Sequence, residues 1–213
     1  MKILIISSNL IGDTILSSGV VNHFHEKYPH AKFTFLIGPS AGQIYNNLSV
    51  KDKIILVKKR TFNLHWIEMY SNVYKINWDI VIDFRSSLLS YFLKKNKQYI
   101  FKKKKNMNQI DQLKKFFNIT DFSLSVSTNH DEEIEASKVL NNKYKYVVLF
   151  PGGNWKPKIW PINYFNKLIY LLNNQFSNLR FIIVGSSKEK YIYYEDIKNN
   201  LPNDLFINLM GKS

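Results

Sequence analysis

From its second residue the chain alternates short β-branched runs with longer helical patterns, and no other feature limits its possible folds as much. Ile3 to Ser7 reads as a strand, Thr14 to Lys27 as a helix, Phe33 to Ile37 as a strand and Ser40 to Asn47 as a helix. Ile54 to Val57 and Ile80 to Asp83 repeat the strand signal, with a helix around Leu64 to Tyr74 between them. Strands spaced by helices point to βαβ units and a parallel sheet. Continuous apolar runs such as Ile3-Leu4-Ile5-Ile6 and Ile80-Val81-Ile82 suit strands covered on both faces, so the expected fold class is α/β and doubly wound.

A basic stretch follows. Between Lys94 and Lys105 seven lysines surround a short apolar centre, which reads either as a solvated helix end, strand and loop or as an anion-binding surface. A helix from Gln109 to Phe117 comes next, then Thr120 to His130, polar and without helical period. Asp131 opens a helix rich in acids, so the domain junction is expected here, with domains 1–130 and 131–213. The second series runs as strand Tyr146 to Phe150, a Pro-Gly-Gly loop, helix Ile162 to Phe176, strand Arg180 to Val184, helix Lys188 to Asn199 and strand Leu205 to Leu209. A doubly wound half has about five or six strands, so the second domain is expected to be truncated.

Composition narrows the partners. Thirty Lys+Arg against 16 Asp+Glu give a formal net charge of +14, which favours an anionic ligand, acidic membrane surface or nucleic acid. The abundance of Lys, Asn, Ile, Tyr and Phe also fits an AT-rich genome, which discounts that charge. Nucleic acid is not the expected partner, because only Tyr99 and Phe101 interleave with the lysines and both read better as strand core. Cysteine is absent, which removes disulfides and thiolate metal sites. The apolar run at residues 3–6 is too short for a signal peptide, and no run approaches the ~18 residues of a membrane span. A soluble, cytoplasmic protein is expected, one able to rest on a membrane face.

Three junctions carry candidate chemistry. In the first, Ser7-Ser8-Asn9-Leu10-Ile11-Gly12-Asp13, Asp13 follows a strand at the mouth of a binding crevice. It reads either as a general base or as a helix-start residue. Gly12 fits a tight turn but is no Gly-x-Gly-x-x-Gly fingerprint, which disfavours a nicotinamide enzyme. Asp83, with Arg85 and Ser86 beyond it, suits acceptor binding or loop anchoring. In the second, Pro151-Gly152-Gly153-Asn154-Trp155-Lys156-Pro157-Lys158, glycine amides, Asn154 and two lysines suit a diphosphate. Trp160 and Pro161 beyond it read as structural. In the third, Gly185 opens a helix whose Glu189 reads as a ribose ligand or as a favourable N-terminal charge. His23 and His25 face different ways on one helix, and no Asp-x-Asp pair occurs, so no metal site is expected.

In order, Leu10-Ile11-Gly12-Asp13, Trp78-Asp79-Ile80-Val81-Ile82-Asp83, Pro151-Gly152-Gly153, Lys158-Ile159-Trp160-Pro161, Val184-Gly185 with Glu189, and Asn208-Leu209-Met210-Gly211 resemble the landmarks of glycosyltransferase family 9. That family contains the ADP-heptose:lipopolysaccharide heptosyltransferases. The resemblance implies a GT-B fold, two Rossmann-like domains facing a cleft, and an inverting transfer that needs neither metal nor cofactor. It puts the acceptor on the first domain, at Ser8, Asn9, Gly12, Asp83 and Arg85, with Asp13 as the base. It puts the ADP-heptose or other nucleotide sugar on the second, at Gly152, Gly153, Asn154, Lys158, Gly185 and Glu189. Gly153 and Asn154 depart from the hydroxyl residues frequent there, and the family's later Asp-Ser/Thr-Gly-x-x-His segment does not occur. The implied partners are a nucleotide sugar, a lipopolysaccharide core acceptor and the inner membrane, met by a monomer. A truncated nucleotide-binding module without turnover is the alternative.

Overall fold

The computed structural model describes residues 1–58, 65–153, 155–198 and 203–212. The chain separates into two compact units, residues 1–129 and 130–213.

The first unit is built on five strands: β1 (Lys2–Ile6), β2 (Lys32–Ile37), β3 (Lys51–Leu56), β4 (Trp78–Asp83) and β5 (Lys95–Ile100). All pair in parallel, in the order β3-β2-β1-β4-β5. Side chains alternate across each strand, so neighbouring residues enter different cores. Ile3, Ile5, Phe33, Phe35 and Ile82 pack with α1 (Ile11–Lys27) and α4 (Gln109–Phe117) through Val20, Phe24, Leu113 and Phe117. Leu4, Ile6, Leu36 and Val81 pack with α3 (His65–Val73) through Met69 and Val73, and with Leu89 and Leu93. Burial on both faces is why β1 is apolar without alternation.

Local chemistry sets the helix ends. The Asn108 side chain caps α4 by accepting from the Ile110 N–H at 2.8 Å, and Asn118 closes it in the left-handed region. The helix expected from Ser40 to Asn47 is instead a single α-turn, α2 (Pro39–Gly42), followed by a 3-10 turn at Gln43–Tyr45. A Cβ at Gly42 would lie 2.7 Å from a Leu56 methyl. The segment therefore presses close to β3, and Tyr45 stacks on Phe35 at 4.3 Å.

The second unit contains α5 (His130–Val139), β6 (Lys145–Leu149), α6 (Ile162–Gln175), β7 (Leu179–Ile183), α7 (Ser187–Glu189), α8 (Glu195–Lys198) and β8 (Phe206–Asn208). Its three strands are parallel, in the order β6-β7-β8. The helix expected from Lys188 to Asn199 is interrupted by a π-turn at Lys190–Tyr194, across aromatic and β-branched residues that form α-helix poorly. Leu149, Phe165, Ile169, Phe181, Ile183 and Ile197 form the core. Among the described residues no helix is long and apolar enough to cross a membrane.

Candidate active site

In a doubly wound sheet the ligand crevice lies outside the strand carboxyl ends where the connections change direction. In the first unit β1 is flanked by β2, next in sequence, and by β4, reached across the sheet, so the switch falls between β1 and β4. The segments leaving those two strands are Ser7 to Asp13 and Phe84 to Ser87. A cleft of about 270 Å³ there is lined by Ser8, Asp13, Phe84, Arg85 and Lys103, among others.

Asp13 lies in the first turn of α1, whose N-cap is Leu10 and makes no side-chain capping bond. Its carboxylate accepts from the Ser8 hydroxyl at 3.5 Å and pairs with Lys103 Nζ at 3.2 Å. Ser8 Oγ in turn accepts from the Leu10 N–H at 3.1 Å. Asp13 thus gains from the helix dipole yet keeps its carboxylate directed into the cleft. The partly exposed ion pair with Lys103 contributes about 0.2–1 kcal/mol, so an incoming ligand can break it.

Gly12 forms no tight turn. It sits inside the first turn of α1, and a Cβ there would meet nothing within 4 Å. What it leaves is open space beside Asp13. Asn9 does not line the cleft: it packs against Gly38, and its Oδ1 is buried without a partner among the described residues. Asp83 is fully buried. Oδ1 accepts from the Arg85 N–H at 2.8 Å, while Oδ2 accepts from the Ser87 N–H at 2.8 Å and the Ser87 hydroxyl at 2.6 Å. Of the two readings of Asp83, the geometry supports loop anchoring, because both oxygens are spent shaping residues 84–87. That loop includes Ser86 in the left-handed region, its hydroxyl donating to the Phe101 carbonyl at 2.8 Å.

Arg85 is the loop's product. Its guanidinium stacks over Trp66 at 5.1 Å, and Nη1 is buried without a partner among the described residues. Burial pulls its pKa below the usual arginine value, an effect that the neighbouring Asp83 partly opposes.

The sequence places Lys103 in a run read as solvated or anion-binding, but not beside Asp13. Lys103 belongs to the run Lys102 to Lys105 that follows the carboxyl end of β5, so parallel pairing with β4 brings the run to the rim that carries Asp13. The other lysines divide by role. Lys95 donates to the carbonyls of Tyr91 and Leu93, and Lys97 lies over the Tyr99 ring on the outer strand. Charged residues there discourage edge pairing.

In the second unit, Gly153, Gly185, Ser186, Glu189 and Lys212 line a cavity of about 1240 Å³. Ser186 and Glu189 form a capping box at α7. Glu189 Oε2 accepts from the Ser186 N–H at 2.7 Å and its hydroxyl at 2.8 Å. Glu189 therefore serves the helix start, as one expectation held, while Oε1 lies against Gly152, where a Cβ would collide with it. Gly185 also packs closely: a Cβ there would sit 2.8 Å from Met210 Cε. Lys158 is exposed, over the Trp155 ring at 5.6 Å, and does not line the cavity. Asn154 lies outside the described residues. Trp160 stacks on Tyr164 and meets Phe165 edge-on, in keeping with a structural part. Among the described residues no cluster of three or more His, Cys, Asp or Glu could hold a metal ion.

The solved structure of a glycosyl transferase family 9 protein from Veillonella parvula superposes with a TM-score of 0.77 at 17% identity, over 100% of this chain and 70% of that one. E. coli heptosyltransferase WaaC with ADP gives 0.71 at 14% identity, over 98% and 75%. E. coli ADP-heptose LPS heptosyltransferase II gives 0.69 at 14%, over 100% and 73%. Identities this low speak for a shared fold. No curated protein sequence matches the chain. The family model described as glycosyltransferase family 9 (heptosyltransferase) matches residues 106–213, which is 108 of the 213 residues. With a parallel α/β fold like that of solved family members and a match over half its length, the chain belongs to glycosyltransferase family 9.

Proposed function

We propose that the protein transfers a heptose, or a similar sugar, from an ADP-sugar to a hydroxyl of the lipopolysaccharide inner core, with inversion at the anomeric carbon. The observation that carries this reading is Asp13, a partly exposed carboxylate at the β1/β4 switch point in a cleft shared with Arg85 and Lys103. Asp13 takes the proton as the acceptor oxygen bonds to the anomeric carbon, and the bond from that carbon to the diphosphate oxygen breaks on the opposite face. Lys103 binds the acidic groups of the acceptor, leaving its pair with Asp13 to do so. In the second unit the Gly152 and Gly153 amides receive the diphosphate, and Glu189 Oε1 accepts from a ribose hydroxyl. The donor class is supported by the neighbour solved with ADP and by the same E. coli enzyme solved with ADP-2-deoxy-2-fluoro heptose. The acceptor is met at the inner-membrane surface, on the cytoplasmic side, by a monomer.

Asp13→Asn keeps the shape of the side chain and removes the base. ADP release in the presence of acceptor should fall by about 10²–10⁴-fold, with the circular dichroism spectrum unchanged. Turnover retained in the variant removes Asp13 from the reaction. ADP binding by calorimetry with no product from the unaltered chain would favour a nucleotide-binding module without turnover.

A further inference from the structure

The first unit has a second concavity, on the α3 side of the sheet. It is a groove of about 790 Å³ lined by Trp66, Ile67 and Tyr70 of α3 and by Arg85, Leu88 and Phe92. Its wall is apolar and open to solvent: Leu88 is 76% exposed, Phe92 71% and Ile67 68%. A folded chain gains nothing by keeping three large aliphatic or aromatic side chains in water around one concavity, so such a patch marks a binding surface.

The neighbouring residues explain why these side chains face outward. Leu89 and Leu93 turn inward and pack with Met69, Val73 and Trp78. Ser87, whose hydroxyl is bonded to Asp83, fixes the start of the 3-10 turn at Leu88–Tyr91. Anchoring by Asp83 and insertion of Leu89 and Leu93 leave Leu88 and Phe92 on the outside. They do not depend on a loose end for their position.

The charge at the groove decides its ligand. Arg85 is the only ionisable side chain among its described lining residues apart from the phenol of Tyr70. Its guanidinium is partly desolvated, and one nitrogen lacks a hydrogen-bond partner among the described residues. Burial weakens its hold on the proton, and Asp83 offsets only part of that. An anion brought to such a cation gains a charge-assisted bond at little further cost of desolvation. An apolar trough ending at an arginine complements an amphiphile with an anionic head.

We infer that the groove between α3 and the Leu88–Tyr91 turn is a membrane-docking site that seats an anionic phospholipid, its headgroup phosphate on Arg85 and an acyl chain along Ile67, Tyr70, Leu88 and Phe92. The groove meets the Asp13 cleft at Arg85, which lines both, but the proposal does not rest on Asp13 being a base. It also differs from adsorption by the lysine run, which needs no apolar contact. Insertion of Leu88 and Phe92 makes binding persist when salt screens the lysines.

The test uses sedimentation with phosphatidylcholine vesicles, with and without phosphatidylglycerol, at low and high salt. The unaltered protein should bind the phosphatidylglycerol vesicles and stay partly bound at high salt. Replacing both Leu88→Glu and Phe92→Glu should weaken binding by more than about tenfold, since two buried apolar side chains are lost. Both residues are exposed, so the thermal melt should not move. Lys102→Gln, Lys104→Gln and Lys105→Gln together should reduce only the salt-sensitive part. A second measurement reads the groove directly. In a Trp155→Phe/Trp160→Phe background, Trp66 is left as the tryptophan nearest lipid, because Trp78 is buried. Phosphatidylglycerol brominated on its acyl chains should quench Trp66, and Arg85→Gln should remove the preference for phosphatidylglycerol over phosphatidylcholine. Full binding by the Leu88→Glu/Phe92→Glu protein, or binding without quenching, overturns the proposal.

Discussion

A methyl group placed on Gly12 meets no protein atom within 4 Å, and the position lies in the first turn of α1. Alanine is a better helix former than glycine by about 1 kcal/mol in a helix interior, and somewhat less at an end. Gly12→Ala should therefore leave the melting temperature unchanged or slightly raised. On the proposed reading the same methyl intrudes on the acceptor beside Asp13, so kcat/KM should fall on the order of tenfold to a hundredfold. A melting curve and a steady-state assay on one preparation check both; full activity would show that the acceptor lies elsewhere. At this scale the sequence was informative only where a residue acts through its neighbours in the chain. Asp13, five residues from Ser8, could be placed at the end of a strand by pattern alone. Its pairing with Lys103 spans 90 residues, and it needs the β4/β5 register that no local pattern encodes. Asp83 shows the converse, for its type and position fit a ligand-binding acid equally well until its burial and three bonds are seen.

At the level of elements, helix starts set most of the candidate geometry. The pattern Ser186-x-x-Glu189 before a helix is a capping box in sequence as well as in structure. Ser186→Ala removes the acceptor for the Glu189 N–H and one donor to Glu189 Oε2, and should cost about 1 kcal/mol. Chemical denaturation followed by the circular dichroism of the whole protein reads that loss as an earlier midpoint with unchanged slope. Unaltered stability would mean that the box contributes nothing to the start of α7. The strands β1 and β4 were legible because burial on both faces leaves unbroken apolar runs, and α4 was legible end to end because Asn108 and Asn118 punctuate it. The two helices read as too regular fail for physical reasons. Close approach to Leu56 tightens the segment after Gly42, and aromatic crowding widens the turn at Lys190–Tyr194.

Across the whole molecule the two units differ in how completely their sheets are covered. In the first unit both faces of the five-stranded sheet are packed, and β1 and β4 lie at its centre with side chains almost wholly buried. In the second, Val147 and Leu149 of β6 enter the core, while Val148 on the opposite side is 61% exposed. Tyr146 and Val148 line the large cavity together with Glu132, Glu135 and Val139 of α5, a helix that contributes no buried residue. Local opening free energy follows the apolar contact an element would have to break, so the elements should unfold in an order set by this coverage. Amides of α5 should exchange with solvent first, those of β6 and β7 next, and those of β1 and β4 last, near the rate of global unfolding. Native-state hydrogen exchange by mass spectrometry measures that order. If the nucleotide sugar binds this second unit as proposed, adding ADP should slow exchange at the turns after β6 and β7, around Gly153 and Ser186, and leave β1 and β4 unchanged. Protection confined to the first unit would move the donor site there, and with it the roles assigned to Gly152, Gly153 and Glu189.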